Sequence, residues 1–244
     1  PEIGMPQLII TNEDKPKGRG QKPSFPPLKI FACEHDLPIL QPLDLRTPNF
    51  LTAIAETNLD LIITCAYGKF FPKKLLTLPK WNCWNIHYSL LPKFRGAAPL
   101  QFALLEGETK TGITIFEMVK AMDAGPIWSQ IEMPIQPNDN LENIYQNITA
   151  LILPAVKMAI KNRLTGQQPM PQDPEKATFA PKIEKEMLQI DWQQPAEKIH
   201  NQIRAFSPAP GAFTIFGKKK RLKIFASSIM EKTAVSAKTP GTIV

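Results

Sequence analysis

The chain has 244 residues, 43% of them hydrophobic, and carries 29 Lys and Arg against 22 Asp and Glu, a formal charge of +7. That length suits one large or two modest domains with a real core, and the positive balance suits an anionic partner such as nucleic acid. No run of about 18 apolar residues is present to span a membrane, and the opening residues carry neither a secretory nor a transit pattern. The three cysteines, Cys33, Cys65 and Cys83, form no Cys-x-x-Cys pair; they read as buried free thiols in a reducing compartment, with no disulfide frame or zinc site.

In chain order, Leu8-Ile9-Ile10 reads as a short strand, and residues 11–23 as a loop, being too rich in Gly, Pro and charge for helix or strand. Lys15, Lys17, Arg19 and Lys22 cluster there. Leu28 to Cys33 fits either a strand or the start of a helix, with His35 at an exposed helix end. Leu37 to Pro42 reads as extended and Pro48 to Asn58 as an amphipathic helix, while Leu59 to Ala66 is the continuous apolar run of a buried parallel strand. Tyr67-Gly68-Lys69-Phe70-Phe71-Pro72 follows, then a short helix to about Leu78.

Trp84 to Tyr88 alternates as a strand, which sets Asn85 and His87 on one face at period two. Ser89-Leu90-Leu91-Pro92 breaks it, and Lys93-Phe94-Arg95-Gly96 leads through Pro99 into a helix from about Ala97 to Glu106. A β-branched run from Gly112 to Val119 ends in a loop carrying Asp123-Ala124-Gly125. In open α/β sheets ligands lie beyond the carboxyl ends of strands, so Asn85, His87 and Asp123 are the candidate site. Ile127 to Ile135 reads as a further strand, and Leu141 to Arg163 as one long scaffold helix. Alternating strands and helices predict a doubly wound, mostly parallel α/β domain over residues 1–165.

Residues 166–187 begin Gln/Pro-rich and read as an inter-domain linker. Residues 188–244 hold a strand at Leu188 to Trp192, a helix from Pro195 to Phe206 carrying His200, and strands around Phe213 to Phe216 and Leu222 to Phe225, joined by the basic turn Gly217 to Lys223.

Asn85-Ile86-His87, Ser89-Leu90-Leu91-Pro92 and Asp123-Ala124-Gly125 together resemble the signature of the formyltetrahydrofolate-dependent formyltransferases. Leu91 to Gln101 looks like the loop of the branch that formylates methionyl-initiator tRNA. Tyr88 departs from the pattern, which has a small residue there. The resemblance implies a Rossmann-like catalytic domain that lacks its first strand and helix here, followed by the start of a small OB-type β-barrel. It implies 10-formyltetrahydrofolate as donor, with Tyr67, Gly68, Ser89, Leu90, Leu91, Pro92, Val119 and the Met118 to Asp123 segment beside it. It also implies that Lys17, Arg19, Lys22 and Arg95 grip the acceptor arm of the tRNA, and that the protein is a cytoplasmic (bacterial-type) or organellar-matrix monomer.

Such a transfer needs a donor for the developing oxyanion, which the Asn85 amide can supply, and a proton shuttle near neutrality, which His87 can be. Asp123 can fix the imidazole tautomer, and no step calls for a metal. Two readings stand beside this one: a formyltransferase acting on glycinamide ribonucleotide or a formyl-folate hydrolase, using the same triad, and an RNA-binding module on an inactive α/β scaffold.

Overall fold

The computed structural model describes residues 4–17, 22–217 and 220–230. The chain divides into two compact units, one formed by residues up to Ile86 together with Glu117–Lys120, the other by His87–Phe116 and the residues from Ala121 onward.

The first unit runs β1 (Ile9–Ile10), β2 (Lys15–Lys17), β3 (Lys22–Ser24), α1 (Pro27–Glu34), β4 (Ile39–Leu40), α2 (Pro48–Glu56), β5 (Ile62–Thr64), α3 (Lys73–Leu76) and most of β6 (Cys83–His87). β1 pairs with β4 and β5 with β6, both in parallel, in the registers Ile9↔Ile39 and Thr64↔Asn85. Parallel partners need a crossover, and α1 and α3 supply it. Pro27 and Pro48 open α1 and α2, where a missing N–H costs nothing. Phe50 and Ile54, one turn apart, bury the inner face of α2 against Leu45, Phe71, Leu75, Leu76 and Cys83.

Three expectations change in this unit. Residues 11–23 are not all loop: β2 and β3 pair antiparallel with Pro16 opposite Pro23, and a two-stranded ribbon tolerates proline because one side of each strand needs no partner. The apolar run at residues 59–66 yields only three strand residues, and Ile63 is 39% exposed. Cys33 and Cys65 are exposed, and Cys83 alone is buried.

The second unit contains β7 (Arg95–Gly96), α4 (Pro99–Leu105), β8 (Lys110–Glu117, whose last residue belongs to the first unit), β9 (Ile127–Pro134), α5 (Leu141–Thr149), α6 (Ile152–Leu164), β10 (Phe179–Ala180), α7 (Ala196–Ala205), β11 (Ala212–Phe216) and β12 (Lys220–Ile224). β8 and β9 form an antiparallel pair from Lys110↔Pro134 to Phe116↔Ile127. α6 packs on β9, and α4 on α7. The long helix expected from Leu141 to Arg163 is two helices. Pro154 has no N–H to give, and its ring would collide with the carbonyl of Ala150, so the helix restarts at Ile152. Asn140 caps α5 through a reciprocal bond with Asn143.

Toward the carboxyl end, Ile190, Ile203, Phe206 and Ala212 form a separate core. The strand expected at Leu188 to Trp192 is instead a 3₁₀ turn, Glu186–Leu188, and one bridge from Gln189 to Phe213. Asp191 then accepts from the Gln193 N–H at 3.0 Å and the Gln194 amide at 3.1 Å, which turns the chain away. β11 and β12 pair antiparallel from Ala212↔Ile224 to Phe216↔Lys220. Among the described residues they are the only paired strands after β10, so of the barrel a hairpin is present.

Candidate active site

β6 carries two of the expected site residues at alternate positions, Asn85 half-buried and His87 only 5% exposed. His87 Nε2 lies 2.8 Å from the Phe94 carbonyl. A carbonyl cannot donate, so Nε2 carries the hydrogen, and in the neutral ring Nδ1 is left with a lone pair. That nitrogen faces Asp123 Oδ2 at 3.8 Å. Burial holds the His87 pKa below its ordinary value, outweighing the upward pull of the Asp123 carboxylate and of the Phe94 carbonyl. The pair is thus a neutral imidazole turned toward a carboxylate at neutral pH, with an ion pair formed only when Nδ1 gains a proton. The edge of the ring meets Phe116, with centroids 6.2 Å apart.

Asp123 follows β8 in a left-handed conformation, φ 50°. Its Oδ2 accepts the Gly96 N–H at 2.8 Å. Gly96 itself has φ 125°, and a Cβ there would sit 2.5 Å from the Ala180 carbonyl oxygen. Only glycine lets β7 come this close to β10 and still aim its amide at Asp123. On the backbone side, Gln172 Nε2 donates to the carbonyls of Asp123 at 2.8 Å and Gly125 at 2.7 Å, while its Oε1 accepts from Arg95 Nε at 3.1 Å and Nη2 at 2.7 Å.

The segment expected to link two domains therefore lies against the site. Thr178 accepts the Phe94 N–H at its hydroxyl and the Arg95 N–H at its carbonyl, and gives its own N–H to Pro92. Phe179 and Ala180 then pair in parallel with Arg95 and Gly96. None of Gln172, Thr178 or Ala180 is in the set read from the sequence.

The loop after β6 is braced from within. Ser89 is fully buried and donates to the Lys93 carbonyl at 2.6 Å. Thr114 donates to the Ser89 carbonyl at 2.6 Å and accepts from the Leu91 N–H at 3.3 Å and from Gln130 Nε2 at 2.8 Å. Ser89 and Leu91 thus shape the loop, while Leu90 and Pro92 are half-buried on it. In the first unit, the Tyr67 hydroxyl is shut off from solvent and has no hydrogen-bond partner among the described residues; burial raises its pKa and keeps it a donor. Gly68 and Val119 are exposed, and a Cβ on Gly68 would meet open space.

Of the residues expected at tRNA, Arg19 lies outside the described residues; Lys17 and Lys22 fall in β2 and β3. Arg95 is 8% exposed, and its guanidinium gives Nε and Nη2 to Gln172.

Residues 4–153 match the formyl transferase family and residues 182–244 the formyl transferase C-terminal domain. A methionyl-tRNA formyltransferase of Geobacillus thermodenitrificans is 42% identical over 85% of this chain and 66% of its own length. One of Bacillus velezensis is 39% identical over 97% of this chain and 74% of its own. Among solved structures, a 4-N formyltransferase of Francisella tularensis superposes with a TM-score of 0.70 over 92% of this chain and 98% of its own, at 21% identity, a likeness of fold. Among the described residues no helix is long and apolar enough to cross a membrane.

Proposed function

Because the chain belongs to the formyl transferase family, we propose that it transfers the formyl group of 10-formyltetrahydrofolate to the α-amino group of methionyl-initiator tRNA. The observation that carries the chemistry is His87, held neutral by burial with Nε2–H engaged on Phe94 and the Nδ1 lone pair facing Asp123. The folate supplies an activated formyl carbon and a nitrogen leaving group. Nδ1 takes the proton released as the amine attacks and returns it to the leaving nitrogen. Asp123 stabilises the imidazolium in between, and the Asn85 amide donates to the formyl oxygen as negative charge builds there. Tyr67, Gly68, Leu90, Pro92 and Val119 receive the folate, with Ser89 and Leu91 holding the loop in shape. Lys17, Arg19 and Lys22 contact the acceptor arm. The protein works as a monomer in a reducing, cytosolic compartment.

The test is transfer of labelled formyl from 10-formyltetrahydrofolate to charged initiator tRNA, with glycinamide ribonucleotide and water as competing acceptors. Transfer to tRNA alone is the expected result. Asn85→Ala should lose about 10²- to 10³-fold in turnover, and His87→Ala and Asp123→Ala at least as much. Near-normal rates in all three, or transfer to another acceptor, refute the reading.

A further inference from the structure

Asp123 has a left-handed backbone, φ 50°, which aspartate adopts more readily than most non-glycine residues. Two kinds of hold act on it. The side chain is held by the Gly96 N–H, and the backbone by Gln172, which bonds the carbonyls of Asp123 and Gly125 at once. A glutamine amide has two N–H hydrogens and two carbonyl lone pairs. Here all four are engaged, the hydrogens on the Asp123 loop and the lone pairs on Arg95 Nε and Nη2. The buried guanidinium fixes the direction of the amide, since a flipped amide would set its NH₂ against Arg95 and its oxygen against two carbonyls. Arg95 and Gly96 are consecutive in β7, so a single dipeptide anchors the backbone of Asp123 through Gln172 and its carboxylate directly.

We propose that Gln172 is a positioning residue for the reaction, setting the Asp123 carboxylate against His87 Nδ1 by holding the Asp123 to Gly125 backbone on β7. This rests on the reading of Asp123 as a member of the reacting group. Gln172 touches neither substrate nor His87; it acts only through the loop. Gln172→Glu isolates that action, because a carboxylate keeps an oxygen for Arg95 while replacing the two N–H donors by an oxygen facing two carbonyls. Gln172→Leu removes both halves of the link.

The experiment compares the wild-type chain with Gln172→Glu, in the presence and absence of Asp123→Asn, by formyl-transfer kinetics, thermal midpoint and amide exchange at Gly96. For Gln172→Glu, kcat should fall about 10- to 100-fold. KM for folate and for tRNA should stay within about twofold, the thermal midpoint should stay close to wild type, and Gly96 exchange should quicken about 10-fold as its acceptor drifts. In the Asp123→Asn background the same change should cost no further activity. Wild-type turnover in Gln172→Glu overturns the proposal, as does an equal loss with and without Asp123. A loss that tracks a lowered thermal midpoint in both Gln172→Glu and Gln172→Leu makes the residue merely structural. A wild-type chain that transfers no formyl group, yet whose Gly96 amide is released by Gln172→Glu, refutes the reading of the site while leaving the anchoring intact.

Discussion

Thr114→Val should destabilise the chain by about 2 to 4 kcal/mol although valine fills the same space. Thr114 is fully buried, and its hydroxyl joins the Ser89 carbonyl, the Leu91 N–H and Gln130 Nε2. Removing it leaves the Ser89 carbonyl, beside a fully buried side chain, without the 2.6 Å bond it accepts, at about 1–3 kcal/mol for an unpaired buried group. The Leu91 N–H loses a longer, weaker acceptor at 3.3 Å. Gln130 Nε2 keeps its 3.0 Å bond to the Leu91 carbonyl and loses the other, so its share is small. Urea denaturation reads the sum: with a slope of about 3 kcal/mol per molar, the midpoint should drop by about 1 M at unchanged slope. Thr114→Ser, which keeps the hydroxyl and drops a methyl, should lose about 1 kcal/mol. The reasoning is refuted if valine is tolerated within about 0.5 kcal/mol, or if serine proves the costlier change, since the methyl rather than the hydroxyl would then hold the Ser89 to Pro92 loop.

His87 makes stability depend on pH in a definite direction. Its folded pKa is depressed by burial, so below about 6.5 the unfolded chain binds a proton that the folded chain refuses. Stability is intact above that value and falls as pH drops toward the folded pKa, by at most about 1.4 kcal/mol per pH unit. His87→Phe should flatten this acid slope in denaturation curves, and parallel curves would mean that the imidazole is charged in the fold. Gly96→Ala forces a Cβ within 2.5 Å of the Ala180 carbonyl oxygen at φ 125°, which should cost about 2 to 4 kcal/mol and depress turnover; wild-type behaviour would show that β7 and β10 do not pair this closely. Thiol titration with a soluble disulfide reagent should modify Cys33 and Cys65 in the folded chain and Cys83 only after unfolding, because Cys83 is buried, donates to the Leu75 carbonyl at 3.4 Å, and has its thiol pushed up to about 12. Rapid reaction at all three would put Cys83 outside the first unit's core.

The alternation of strand and helix, and the residues that bury their faces, were legible because hydrophobic period is a local property: Phe50 and Ile54 announce α2 whatever surrounds them. Two kinds of feature were not. Where apolar period runs across a break, the break is carried by one residue, and Pro154 divides α5 from α6 inside an unbroken Leu/Ile stripe. Where pairing is made by backbone alone, side chains say nothing. β2 and β3 pair through a Lys-Pro-rich sequence that reads as loop. Leu188 to Trp192 has the composition of a strand, yet gives it up because Asp191 bonds the following turn.

The same distinction runs through the site. Asn85, His87 and Asp123 could be picked out because their chemistry is written in residue type and their grouping in a short stretch. What holds Asp123 beside His87 is written elsewhere. Gln172 lies 49 positions beyond Asp123, in a Gln/Pro-rich segment whose composition fits a linker, and glutamine there carries no signal of its own until Arg95 is found facing it. Arg95 is the sharper lesson. In sequence it stands among Lys93, Phe94 and Gly96 as a cation free to grip phosphate; in the fold, the pairing of Arg95 and Gly96 with Phe179 and Ala180 turns the guanidinium inward. A buried arginine needs partners for its N–H donors, and the chain provides one as an uncharged amide, not a carboxylate. A carboxylate at position 172 would satisfy Arg95 more strongly but could not donate to Asp123 and Gly125. The choice of glutamine is therefore the mark that the link has two ends, with the anchoring arginine at one and the Asp123 to Gly125 loop at the other.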